Sequence, residues 1–513
     1  MTLKKLASLI FHRTALIALL MLVQIGVLIL MMVRFSNYFM YFYWGCVVLS
    51  LLVVLWIVSN GSDPGYKIAW IIPILLFPLF GGAVYLLVGG NRLSRRAREK
   101  MGGMNRTLAQ VLEADRKAQA LAVYGQDAVN QSAYLEHFAL CPAYTNTSTR
   151  YFSLGDDAFP AMLEALEGAQ RYIFLEYFII EPGEMWNAIL DVLMRKAAQG
   201  LDVRVIYDDV GCLYTLPKDY PRTLEAMGIR CCVFNPFVPV LSVRLNNRDH
   251  RKFLIVDGHT AFTGGINLAD EYINRVVKYG HWKDSAIRLQ GEAVWSMVVM
   301  FLTMWAYIRG AKEELAPFRP DGRPPEAAGG AGFFVQPYTD SPLDNEPVGE
   351  SVYLNLIAKA ERYVYITTPY LIISDSVNTA LCNAAKSGVD VRIITPHIPD
   401  KRIIFEVTRA HYEPLLEAGV KIYEYTPGFI HAKNFAVDDI YGTVGSVNMD
   451  YRSMFLHFEA GVWLCHDPTV LDIKADFLGT LEQCQAVTLA RCRSRSLPRR
   501  LLRAVLRVFA PLM

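Results

Sequence analysis

Two stretches of the chain place a histidine and a lysine two residues apart, with an aspartate a short way on. The first carries His250, Lys252 and Asp257, then Gly264, Gly265 and Asn267. The second carries His431, Lys433 and Asp438, then Gly445, Ser446 and Asn448. Both read H-x-K-x4-D-x6-G-[GS]-x-N. At average residue frequencies one H-x-K-x4-D arises by chance in roughly a few per cent of chains this long. Two copies with identical Gly and Asn offsets are not coincidence. A lone histidine on a strand is ordinarily structural, and a matched pair reverses that expectation.

These residue types suit work on a tetrahedral anion. A strand has period two, so His250 and Lys252 are expected on one face, as are His431 and Lys433. If the copies meet, two histidines, two lysines and two asparagines converge on one pocket. Lysine is a point charge for phosphate oxygens, and the amides of Asn267 and Asn448 add donors. One histidine attacks phosphorus while the other protonates the leaving oxygen. The lysines supply the positive charge, so neither a metal nor another cofactor is expected. Each histidine needs a carboxylate on its second ring nitrogen to fix the tautomer. Asp284 and Glu459 stand at strand heads shortly after the two asparagines and are assigned as orienters; a plain strand-end charge is the alternative.

The elements around the motifs recur in the same order. Residues 171–180 read as a central strand, 186–199 as a helix closed by Gly200, and 203–207 as a further strand. Residues 362–372 match the first of these, and 376–386 form a helix before Gly388. GLDVRVI at 200–206 aligns with GVDVRII at 388–394. This is a tandem repeat of α/β domains, 136–315 and 336–490, joined by a Pro/Gly linker at 316–335. The apolar stretch 293–308 is too short to span a membrane and reads as a buried helix of the first domain. The apolar loop 234–244 reads as an acyl-chain lip or as a core loop.

The 513 residues are 53% hydrophobic and 19% charged, with a net charge of +2. Such a composition excludes intrinsic disorder and collagen-like structure, and the small net charge disfavours a nucleic-acid partner. The nine cysteines show neither a C-x-x-C pair nor a zinc spacing, so reduced thiols are expected.

The excess apolarity lies at the start, in residues 1–90. Runs 14–33, 38–59 and 68–90 carry no charge, and each is long enough to cross a hydrocarbon core of about 30 Å. Lys4, Lys5, His12 and Arg13 precede the first run, and Arg92, Arg95, Arg96, Arg98 and Lys100 follow the third. The positive-inside rule puts both clusters in the cytoplasm. Two full spans and a bent or re-entrant third satisfy that rule, and Pro73, Pro78, Gly81 and Gly82 mark the third as the bent one. Three straight spans are the alternative. Residues 91–135 read as a helical connector. The tail 491–513 alternates arginines with leucines and valines, a basic amphipathic segment suited to anionic lipid headgroups; a solvated tail is the plainer reading.

The paired H-x-K-x4-D motifs resemble those of the phospholipase D superfamily. LNNRDHRK at 245–252, FTGGIN at 262–267 and the apolar segment from Trp70 to Gly89 are similar to its bacterial cardiolipin synthase branch. The resemblance covers essentially the whole chain. It implies two tandem phospholipase D-like α/β domains sharing one active site, preceded by transmembrane helices, in a multi-pass protein of the bacterial cell membrane with its catalytic domains in the cytoplasm. It implies a phosphatidyltransferase that joins two phosphatidylglycerol molecules into cardiolipin and glycerol through a phosphatidyl-histidine intermediate. Hydrolysis of phospholipids is the alternative, with a nuclease less favoured. Phosphatidylglycerol and other anionic phospholipids are the implied partners; the sequence names no protein partner. Asp257 and Asp438, the motif aspartates, map onto positions described as structural supports. The Ser that usually follows the Gly is Gly265 in one copy and Ser446 in the other, leaving Ser446 to bind a phosphate oxygen. Extra room beside His250, from Gly265, favours His250 as nucleophile, in line with the family's assignment of the N-terminal motif.

Overall fold

The computed structural model describes residues 39–61, 63–78, 95–113, 116–237, 246–320, 332–344 and 346–512, with isolated positions at 22, 26, 27, 29, 30, 33, 34, 82, 85 and 86. The chain forms two compact units. One comprises residues 1–93 and 236–246, the other residues 94–235 and 247–511.

The first unit contains helices α1 (Phe39–Ser59) and α2 (Pro64–Leu76). Asp63 starts α2 by accepting the Tyr66 N–H at 3.0 Å, with Pro64 in the first turn. The helix stops at Leu76, because Phe77 precedes Pro78 and the proline ring disfavours helical geometry there. Val53 and Ile57 of α1 bury against Ile74 and Tyr85, and the Ser50 hydroxyl donates to the Pro78 carbonyl at 3.0 Å. The run 68–90 is therefore broken after Leu76 rather than continuing as one straight helix. Taken over described side chains alone, no helix is long and apolar enough to cross a membrane. Helix α1 carries no charge along its 21 residues. Apart from isolated positions, 14–33 lies outside the described residues, as do 238–245 of the apolar loop and 321–331 of the linker.

The second unit opens with helix α3 (Arg95–Leu112) and then holds both copies of the repeat. The first copy supplies strands β1 (Thr147–Phe152), β2 (Tyr172–Tyr177), β3 (Asp202–Asp208), β4 (Arg230–Phe234), β5 (Arg248–Asp249), β6 (Phe253–Val256), β7 (Thr260–Gly264), β8 (His281–Lys283) and β9 (Ala286–Gly291). The second supplies β10 (Phe334–Asp340), β11 (Tyr363–Thr367), β12 (Leu371–Ile372), β13 (Asp390–Pro396), β14 (Lys421–Tyr425), β15 (Gly428–Ile430), β16 (Asn434–Val437), β17 (Tyr441–Gly445), β18 (Met449–Asp450), β19 (His457–Cys465) and β20 (Cys484–Ala486). One sheet runs β1-β9-β7-β6-β2-β3-β4 and the other β10-β19-β17-β16-β11-β13-β14-β20. Only β2-β3-β4 and β11-β13-β14 pair in parallel within these orders. The shared order shows the repeat as two α/β domains of one topology.

Central strands explain their own composition. Every residue of β2 and β11 is buried, so both read as continuous apolar runs. Helix α4 (Glu184–Ala198) buries Met185, Trp186, Ile189, Val192 and Leu193, the spacing of one helical face. The chain then turns through Gly200, at φ 90°. Helix α5 (Val294–Arg309) is buried along most of its length and packs on β4, β6, β7 and β9 while reaching β10 of the other copy. Helix α6 (Arg402–Ala410) follows β13, and α7 (Thr469–Leu481) packs on β11, β16 and β17 while reaching β1. The tail forms helix α8 (Leu497–Phe509), which packs on α6. All nine cysteines are free thiols.

Asp257 and Asp438 occupy the turns that leave β6 and β16, at φ 53° and 56°. Their carboxylates point away from the histidines. Asp257 accepts the backbone N–H groups of Gln170, Arg171 and Tyr172 at 2.8, 2.8 and 2.9 Å. Asp438 does the same for Glu361, Arg362 and Tyr363 at 2.6, 2.8 and 2.8 Å. Although the two aspartates belong to the motifs, each pins the entry to a central strand. Asp257→Ala leaves three donors without an acceptor and is expected to cost about 2–3 kcal/mol. Thermal unfolding in detergent should show the loss, with His250 and Lys252 unchanged in place.

Candidate active site

Each histidine sits where the chain leaves one domain's strand for the other's. Strand β5 pairs in parallel with β19, matching Arg248 to His457 and Asp249 to Phe458. The His250 N–H then donates to the Phe458 carbonyl at 2.9 Å. Strand β15 pairs in parallel with β8, and the His431 N–H donates to the Lys283 carbonyl at 2.7 Å. Only afterwards do β6 and β16 join their own sheets, at Phe253 and Asn434. The H-x-K triplets therefore lie between strands, which corrects the expectation that strand periodicity aims them. Instead Lys252 and Lys433 fold back, and each Nζ donates to the carbonyl of its own histidine.

This handover crosses the acids. The residue after Phe458 is Glu459, whose two oxygens lie 2.9 and 3.0 Å from His250 Nδ1. The residue after Lys283 is Asp284, whose Oδ2 lies 2.6 Å from His431 Nδ1. Each histidine comes from one domain and its acid from the other. A carboxylate only accepts, so both rings carry the proton on Nδ1 and leave a lone pair on Nε2.

The site is buried and crowded with bases. Burial holds His250 well below the usual histidine range, helped by Lys252, Lys433 and His431. His431 is pushed down to about 4 by burial and Lys433, with Asp284 pulling the other way. Burial lowers Lys252 to about 7 and Lys433 to about 8, against the pull of the two acids. For Asp284, burial works to raise the carboxyl, but Lys433 and His431 win and hold it below the ordinary range. That both lysines and the other histidine act on His250 places the two motifs in one site. Aromatic rings wall it: Phe178 lies 5.0 Å from the His250 ring, and Trp282, Tyr272 and Phe429 lie 5.6, 5.7 and 5.8 Å from His431.

The remaining expected residues divide. The Ser446 hydroxyl donates to Glu459 and accepts the Ala460 N–H at 3.0 Å, so it supports the acid rather than a phosphate oxygen. Asn267 is also committed: its Nδ2 donates to the Tyr272 hydroxyl at 2.7 Å and its Oδ1 accepts the Ile179 N–H at 3.1 Å. Asn448 differs, being buried with its Oδ1 unpartnered. A Cβ on Gly265 would stand 2.0 Å from Asp284 Oδ1. The space at Gly265 is therefore filled by the acid that serves His431, which corrects the notion of extra room beside His250.

His457 was not singled out in the sequence. Its ring lies 5.6 Å from His250, at the register position that Trp282 holds beside His431. Its signal was its place two residues before the acid. Among the described residues, His250, His457 and Glu459 form the group with metal-ligand spacing, their donor atoms within 4.8 Å. Glu459 already accepts from His250 and Ser446, so a cation there would displace the bonds that orient His250.

The fold and paired motifs define a phospholipase D-like enzyme. The family described as "Cardiolipin synthase, PLD-like domain" matches residues 162–286 and 353–480, and "Phospholipase_D-nuclease N-terminal" matches 48–90. A protein from Geobacillus sp. named cardiolipin synthase is 33% identical over 90% of this chain and 92% of its own length. Cardiolipin synthase 2 of Bacillus anthracis is 33% identical over 88% of each. An uncharacterized protein of Streptococcus mutans is 41% identical over 90% of this chain and 99% of its own. The chain belongs to the phospholipase D-like cardiolipin synthase family and is a phosphatidyltransferase. The crystal structure of a phosphatidylserine synthase from Haemophilus influenzae shares the fold, with a TM-score of 0.57 at 13% identity, over 74% of this chain and 99% of that one.

The lysines give the site a pH signature. A protonated lysine attracts an anion, and these lose their protons as pH rises through about 7 and about 8. Sulfate keeps its charge over that range, so its inhibition constant should weaken above pH 8. Arginine does not titrate there, and Lys252→Arg with Lys433→Arg should flatten that profile.

Proposed function

We propose that the protein joins two phosphatidylglycerol molecules into cardiolipin and releases glycerol. The crossed His–acid pairs, each incomplete within its own domain, carry this reading, because double displacement at phosphorus needs a nucleophile and a proton donor facing one group. His250 Nε2 attacks phosphorus of the first lipid, forming the P–N bond. His431, which takes up a proton on Nε2 once the phosphate's negative charge stands beside it, gives that proton to the departing glycerol oxygen, and that P–O bond breaks. A second phosphatidylglycerol hydroxyl then surrenders its proton to His431 and attacks phosphorus, freeing His250. Lys252, Lys433 and the amide of Asn448 hold the phosphate oxygens. Asp284 and Glu459 keep the rings oriented. His250, the histidine of the first motif, takes the nucleophile's part, as the family resemblance implies.

The hydrophobic runs support a membrane setting, with 14–33 and 38–59 as spans, 68–90 bent back, and the catalytic unit on the cytoplasmic side. An impermeant thiol reagent should then label single cysteines placed at Asn60 and Lys100 from the same side.

Purified protein in phosphatidylglycerol vesicles should yield cardiolipin and glycerol by mass analysis; phosphatidic acid in their place would establish hydrolysis. His250→Ala and His431→Ala should each lower turnover by about 10³-fold or more. With a p-nitrophenyl phosphodiester, which needs no acid to depart, His431→Ala should accumulate a phosphorylated adduct on His250. An adduct on His431 from His250→Ala, and none from His431→Ala, would exchange the roles.

A further inference from the structure

Away from the two histidines, the C-terminal segment closes over a cleft rich in arginine. Arg409 of α6, Arg491, Arg495, and Arg503 of α8 line it together with Glu424 and Cys492. Four guanidinium groups face one carboxylate, and that carboxylate is spoken for. Arg409 grips Glu424 through Nε and Nη2 at 2.8 and 2.7 Å, and His397 Nδ1 lies 3.0 Å away.

The other arginines are less fully paired. Arg491 and Arg495 have no carboxylate partner among the described residues. Arg503 is only 9% exposed. Its Nε donates to Glu406 at 2.8 Å, but Glu406 is shared with Arg499 at 2.6 Å. Arg503 Nη2 is buried with no partner at all. A buried guanidinium donor without an acceptor is costly to keep, and an anionic oxygen is the group that satisfies it. The crowding is felt at Arg495, which burial and the charges of Arg499, Arg409, Arg503 and Arg491 lower.

We propose that this cleft is a second phosphate-binding site, separate from the catalytic pair, in which Arg491, Arg495 and Arg503 hold the oxygens of a phosphate group. Guanidinium forks match phosphate oxygens in pairs, which a scattered set of lysines does not. The phosphate is that of an anionic lipid headgroup or of a free phosphate ion. On the same helix Leu497, Leu501 and Leu502 are exposed at 80%, 66% and 51%, a surface on which acyl chains can rest. The site does not depend on the proposed reaction, since its lining residues include neither His250 and His431 nor the groups that orient them.

Cys492 reports on the cleft from within. The full-length protein in detergent micelles is alkylated with iodoacetamide, a neutral reagent, and the rates at Cys492 and Cys382 are read by peptide mass. Inorganic phosphate is added in one arm; phosphatidylglycerol vesicles, against phosphatidylcholine vesicles, are added in the other. At ten times the dissociation constant, Cys492 alkylation should slow about tenfold while Cys382 is unchanged. Slowing by phosphate alone assigns the site to a free ion, and slowing by phosphatidylglycerol alone assigns it to a headgroup. Arg491→Ala with Arg495→Ala, or Arg495→Ala by itself if the pair lowers the unfolding temperature, should abolish the protection. Absence of protection in both arms of the unaltered protein would overturn the proposal. So would protection that persists in a variant of unchanged stability.

Discussion

The organisation of the site depends on two backbone hydrogen bonds, His250 N–H to the Phe458 carbonyl and His431 N–H to the Lys283 carbonyl. Each joins a catalytic segment of one domain to a strand of the other, and each sets the following residue, Glu459 or Asp284, beside the histidine. Backbone pairing is directional and short-ranged, so it fixes a side chain to within the tolerance that hydrogen-bonded catalysis needs. Other contacts between the domains hold that register. Lys283 pairs with Asp476 at 2.7 Å, Tyr151 donates to Asp476 at 2.7 Å, and Thr149 donates to Asp467 at 2.7 Å.

Burial then sets the chemistry. Two lysines, two histidines and two acids share a space closed by aromatic rings. In such a medium each charge costs desolvation unless a partner stands near. The acids keep the histidines oriented, and the lysines lower the histidines' proton affinity, so the rings stay neutral while positive charge remains at hand. An arriving phosphate brings negative charge beside the lysines, and the anion and the lysine protons stabilise one another.

The twofold likeness of the domains is broken at matched positions. Glu459 rests on the Ser446 hydroxyl, whereas Asp284, one methylene shorter, lies against the bare backbone of Gly265. His457 stands beside His250 where Trp282 stands beside His431. One histidine therefore has a polar neighbour and the other an apolar one. Unequal surroundings of this kind let two similar imidazoles take unlike parts in one reaction.

Much of this was legible in the residues themselves. The repeated H-x-K-x4-D pattern, the strand-helix-strand order around 171–207 and 362–394, and the buried helix at 294–309 all rest on local periodicity, which a chain carries whether or not it is folded. Asp284 and Glu459 were also visible as acids at strand heads. Which acid meets which histidine was not, because that depends on β5 crossing to β19 and β8 to β15, which set His250 beside an acid 209 positions away and His431 beside one 147 positions away. Pairing of β17 with β19 turned Ser446 toward Glu459, pairing of β7 with β9 filled the space at Gly265 with Asp284, and the crossing brought His457 to His250. It also took the H-x-K triplets out of strand geometry. Sequence by itself determined which groups the protein has and the order of its elements, since both are local properties. Tertiary structure decided which groups face one another, since that is set by non-local backbone pairing and by the competition of buried polar atoms for a limited number of partners.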